Sequence, residues 1–85
     1  MKPFKDIEKT EFLVMEEFAD PFRLQVFFDD MKYRIVVTDT KNNKELVETL
    51  TASHEPRFGM DIFDSQIVLE KAEEMCVWLE KNETT

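Results

Sequence analysis

Between residues 22 and 51 the chain alternates apolar and polar side chains at every second position, and two short clusters of turn formers interrupt the alternation. A period of two sends successive side chains to opposite sides of an extended backbone, so this stretch calls for strands with one buried face. Phe22, Leu24, Val26 and Phe28 share one side, and Arg23, Gln25 and Phe27 share the other. Asp29-Asp30-Met31-Lys32 supplies turn chemistry, after which Tyr33, Ile35 and Val37 resume the pattern opposite Arg34, Val36 and Thr38. A second turn falls at Thr40-Lys41-Asn42-Asn43, where Asn tolerates the left-handed backbone that tight turns need. The return strand sets Leu46 and Leu50 against Val47 and Thr49. Strands are therefore predicted at about 22–29, 33–39 and 45–51, joined as an antiparallel meander.

The flanks complete the fold class. Residues 52–60 hold a Pro and the only Gly and follow neither period, which predicts a loop across the sheet with Gly59 at positive φ or under a close backbone contact. A helix is predicted at about 62–81, with Val68, Leu69, Ala72, Met75, Cys76 and Leu79 recurring at three and four as its buried face. Either Asp61 or Asp64 can cap it: Asp61 has Asp64 three residues on, and Asp64 has Phe63 and Val68 placed as a hydrophobic staple. The first twenty residues fit two readings. As a helix they align Phe4, Ile7, Val14, Met15 and Phe18, with Glu11 intruding. As a strand from about 10 to 18 they alternate Phe12, Val14 and Phe18 with Leu13 and Met15, and Ala19-Asp20-Pro21 turns the chain into the next strand. The strand reading is preferred. The expectation is an α+β fold, a small antiparallel meander of three or four strands with a C-terminal helix packed across one face, forming one domain over residues 1–85.

Composition narrows the chemistry. Lys and Arg total 11 against 19 Asp and Glu, a net charge of −8, which disfavours generic phosphate binding. One Cys, one His and one Gly cannot supply an internal disulfide, a multi-His metal site or a glycine-rich phosphate loop. His54-Glu55 with Asp61 and Asp64 is the only set that resembles a metal or acid–base site, and a solvated loop histidine beside capping aspartates explains it more simply. No enzyme, metal or cofactor is expected. Met1 to Asp6 carry no following apolar run of secretory length, no segment approaches the ~20 apolar residues of a membrane span, and Cys76 lies in a helical pattern as a buried hydrophobe. A cytoplasmic location is expected from these features.

Charge is distributed unevenly, at −3 over residues 1–20, 0 over 21–60 and −5 over 61–85. Glu16 and Glu17, with Glu70, Glu73, Glu74 and Glu80, are the candidate partner-binding residues. They are expected to present a carboxylate-rich face to a basic, nucleic-acid-binding protein, in the manner of a small inhibitor or regulator. Such a face also keeps a small protein soluble without any partner. The alternative is a single-stranded nucleic-acid-binding sheet using Arg23, Phe27, Lys32 and Arg34, because the neutral centre holds much of the positive charge beside aromatic rings. A further alternative is a homodimeric structural protein, formed by edge pairing or through an apolar patch such as Phe27 with Val36.

Overall fold

A computed structural model describes residues 11–53, 56 and 60–83; His54, Glu55 and Gly59, and the helical alternative for the first residues at Phe4 and Ile7, lie outside this set. Four eight-residue strands, β1 (Phe12–Ala19), β2 (Phe22–Asp29), β3 (Lys32–Asp39) and β4 (Lys44–Thr51), precede one 22-residue helix, α1 (Ile62–Glu83). The strands form one antiparallel sheet in the order β1-β2-β3-β4, as the alternation required. Residues 12–19 are thus a strand rather than a helix.

Turn chemistry sets the register. Asp30 and Met31 have φ of 49° and 59°, so both central residues of the β2–β3 loop are left-handed, the geometry whose twist suits a two-residue hairpin. The pairs Asp29–Lys32, Phe28–Tyr33, Val26–Ile35 and Leu24–Val37 follow without a slip. At the next turn Asn43 has φ 56°, and the buried Asp39 carboxylate accepts from the Lys41 and Asn42 amides and from Asn42 Nδ2. The Asn42 side chain, with the two amides, holds the Asp39 carboxyl below its ordinary pKa against the opposing effect of burial. The Asp20–Pro21 peptide is cis, and Thr40 donates from its amide and its hydroxyl to the Pro21 carbonyl, which fastens the β1–β2 turn to the end of β3.

β1 departs from the expected alternation. A bulge between Leu13 and Met15 adds Val14 to the strand, so Phe12 and Met15 take the helix side while Leu13, Glu16 and Phe18 take the other. Phe18 therefore does not share a face with Phe12, as a regular alternation would place it.

The helix lies over β3 and β4. Leu24, Val26, Phe28, Tyr33, Ile35 and Val37 from the sheet meet Val68, Ala72, Met75 and Leu79 from α1 in one buried cluster, with Ala52 at its end. Each large side chain withdrawn from water here contributes about 1.5–3 kcal/mol before chain entropy is counted. Cys76 is half-buried at the margin, and Leu69, expected on this face, is 43% exposed. Its place on the helix explains the exposure: at 100° per residue Leu69 falls about a quarter turn from Val68 and points along the sheet rather than into it.

Asp61 is the residue before α1, and its carbonyl accepts the first helical hydrogen bond from the Ser65 amide at 2.8 Å. That makes Asp61 the N-cap and sets Asp64 in the first turn, where a carboxylate also suits the helix dipole. The staple between Phe63 and Val68 does not form, since it requires the helix to start after Asp64, and Phe63 is instead 68% exposed.

Candidate protein-binding surface

The helix start is locked to the sheet by a polar cluster of the buried Asp64 and Tyr33 with the exposed Ser53. Asp64 Oδ2 accepts from Tyr33 Oη at 3.2 Å and from the Ser53 amide at 3.1 Å, and Asp64 Oδ1 accepts from Ser53 Oγ at 2.7 Å. Burial, then the Asp64 charge, pushes the Tyr33 phenol up to about 12. This cluster fixes how α1 lies on the sheet, and so which helix residues face outward.

The outward residues fall into two flanks. On the flank over β4, Phe63, Ile67, Glu70, Glu74 and Trp78 follow one another at spacings of three and four; Phe63, Ile67 and Trp78 are 68%, 52% and 52% exposed. On the opposite flank Ile62 and Leu69 precede Glu73 and Glu80, all exposed. By helical spacing Glu70 follows Ile67, Glu73 follows Leu69 and Glu74 precedes Trp78, at three or four positions each. Between α1 and β4 lies a groove of about 390 Å³ lined by Leu46, Glu48, Lys71, Glu74, Met75 and Trp78. Lys71 Nζ stands 3.5 Å from Glu48 Oε1 at its mouth, so part of the local positive charge is already engaged.

The expected acidic set divides. Glu70, Glu73, Glu74 and Glu80 come together on the outer side of α1. Glu16 does not join them: it lies on the sheet face away from the helix, where Gln25 Nε2 donates to it at 3.1 Å. Glu17 is on the helix side of the sheet but on β1, at the opposite edge from β4.

Arg23, Phe27, Lys32 and Arg34 do share one face, the open side of the sheet. The two guanidinium groups make hydrogen bonds within it, although the buried Arg23 Nε has no hydrogen-bond partner among the described residues. Arg34 donates from Nε and Nη2 to the two Glu11 carboxylate oxygens at 2.8 and 2.7 Å, and its guanidinium lies 4.6 Å from the Phe27 ring centroid. The Glu11 hydrogen bond raises the Arg34 pKa further above its ordinary value. Arg23 Nη2 donates to Gln25 Oε1 at 3.0 Å, which links Arg23 through Gln25 to Glu16.

Sequence reasoning missed the Asp64–Tyr33–Ser53 cluster and the apolar side chains among the helix carboxylates. The latter were visible as an excess of large residues for one buried stripe, since Ile62, Phe63, Ile67, Val77 and Trp78 have no place on the Val68–Leu79 face. Cys76 is a poor nucleophile: burial, then the Glu80 and Glu73 charges, pushes its thiol up. Among the described residues no group of three or more His, Cys, Asp or Glu converges, and no helix is long and apolar enough to cross a membrane. Compared with known proteins, the chain matches no family model, no curated sequence and no solved structure.

Proposed function

We propose that this protein is a non-catalytic binding module, an inhibitor or regulator that docks the outer side of α1 on a basic, nucleic-acid-binding protein. The observation that carries this reading is the interleaving on one helix of Glu70, Glu73, Glu74 and Glu80 with the exposed Phe63, Ile67 and Trp78. Carboxylates alone would keep the helix hydrated. Large apolar groups among them supply area whose burial stabilises a complex, while the charges steer encounter and select a positive surface. The groove beside Trp78 offers a recess for one apolar anchor of the partner.

The test is capture from nuclease-treated lysate with immobilised wild-type protein and the variant carrying Glu70→Lys, Glu73→Lys and Glu74→Lys, at low and high salt. The reading expects a basic protein that elutes with salt and is lost with the variant. Equal recovery on both baits would refute it. The alternative, single-stranded nucleic acid on Arg23, Phe27, Lys32 and Arg34, is supported by their common face, but the Glu11–Arg34 pairing has first to open. Titration with a labelled oligonucleotide at low salt separates the two, because phosphate contacts impose a steep salt dependence.

A further inference from the structure

The sheet has two sides, and α1 covers one. On the other side the register sets Leu13, Phe27, Arg34 and Thr49 in one row, Glu16, Gln25, Val36 and Val47 in the next, and Phe18, Arg23, Thr38 and Glu45 in a third. Leu13, Phe18 and Val47 are 45%, 69% and 41% exposed, and the register sets Leu13, Phe27, Val36 and Val47 on a diagonal from β1 to β4, with Val36 itself buried. The molecule measures 43 × 38 × 18 Å, flat in the way of one helix layer on one sheet.

We propose that a second copy of this chain covers that open face, giving a dimer in which two sheets stack and the helices point outward. Charge selects the face. Contact between copies through α1 would set Glu70, Glu73, Glu74 and Glu80 against the same residues of the partner copy, whereas the open sheet carries charges of both signs, with Glu11 paired to Arg34 and with Arg23, Lys32, Glu16 and Glu45 on the same face. Edge pairing is disfavoured as well. The bulge at Val14 breaks the free edge of β1, and Lys44, Glu45 and Glu48 punctuate β4. Four strands about 4.8 Å apart and eight residues of about 3.3 Å give a footprint of roughly 500 Å² per copy. Two such faces total about 1,000 Å², the lower margin of a specific interface, and place the association in the weak-to-moderate range. The proposal uses the face opposite α1 and so stands apart from partner binding by the helix.

Light scattering or sedimentation equilibrium from micromolar to submillimolar protein reads the result. Wild-type mass should rise from 10.2 kDa toward twice that value. Val47→Glu, which sets a charge on the apolar diagonal, should weaken association by about a hundredfold. Thr49→Glu, a polar exchange at an exposed strand position, should do the same without touching the core, and Trp78→Ala on the helix side should leave the dimer intact. Far-UV circular dichroism confirms that each variant is folded. A wild-type mass that stays at 10.2 kDa throughout overturns the proposal, as does a dimer that survives both Val47→Glu and Thr49→Glu or that requires Trp78.

Discussion

Removing the Asp64 carboxylate should be among the most destabilising single changes outside the apolar core. Asp64→Ala deletes the acceptor for Tyr33 Oη, the Ser53 amide and Ser53 Oγ at 3.2, 3.1 and 2.7 Å. Hydrogen bonds to a charged group are each worth about 1.5–3 kcal/mol, and the buried Tyr33 hydroxyl left without an acceptor adds its own desolvation, whereas the exposed Ser53 donors turn to water. The 3.2 Å bond from Tyr33 is the weakest of these. Allowing for the water that enters the site, a loss of about 4 kcal/mol is expected, against a total of about 4–13 kcal/mol for a domain of this length. Tyr33→Phe removes one donor from the same cluster and should cost about 1 kcal/mol alone and close to nothing in the Asp64→Ala background. Urea denaturation followed by circular dichroism gives each value, with the slope unchanged and only the midpoint moving. A loss below about 1 kcal/mol for Asp64→Ala, or strictly additive effects of the two changes, would refute the cluster as the lock between helix and sheet.

Further expectations come from the same geometry. The phenol of Tyr33 is neutral in the folded protein up to about pH 12, whereas an ordinary tyrosine ionises near 10. Its stabilisation is complete below pH 10 and falls by about 2–3 kcal/mol as pH rises toward 12, a loss that Tyr33→Phe abolishes in alkaline denaturation curves. Replacing Asp30-Met31 by Asn-Gly relieves two left-handed residues and should raise stability by about 1 kcal/mol, read as a higher urea midpoint. Leu79→Ala empties a site that is 1% exposed and should remove about 2–5 kcal/mol in the same assay. Cys76 should react with a thiol reagent more slowly in the native state than in urea at the same pH, because burial and two nearby glutamates disfavour its thiolate.

The parts of the fold that could be read from the sequence are those where periodicity alone decides the structure. The recurrence of apolar residues at every second position within residues 22–28, 33–37 and 46–50 settles which residues of β2, β3 and β4 share a face, because a one-residue slip would turn Val26, Ile35 and Val37 to solvent. The bulge in β1 escapes such reading: Phe12 to Met15 is an unbroken apolar run, and an inserted residue in such a run leaves no polar marker. The helix shows the converse difficulty. Large side chains surround it, so spacing identifies Val68, Ala72, Met75 and Leu79 but also admits Leu69, and only the placement on β3 and β4 separates them. The acidic set followed sequence segments, and the sheet order then parted Glu16 and Glu17 from the helix carboxylates. The sequence placed Asp64 at the helix start, where Asp61 is the cap, but its bond to Tyr33 spans 31 positions and depends on tertiary contact.

The most direct test of the proposed docking surface is a nuclear magnetic resonance footprint of the labelled protein in complex with its captured basic partner. Trp78 supplies the single tryptophan indole signal of the chain and lies on the groove between α1 and β4. That signal should shift on binding, together with the amides of Glu70, Glu73 and Glu74, and the shifts should vanish with the triple charge reversal. Shifts confined to Leu13, Phe27, Arg34 and Val36 on the open sheet, with Trp78 unmoved, would contradict it.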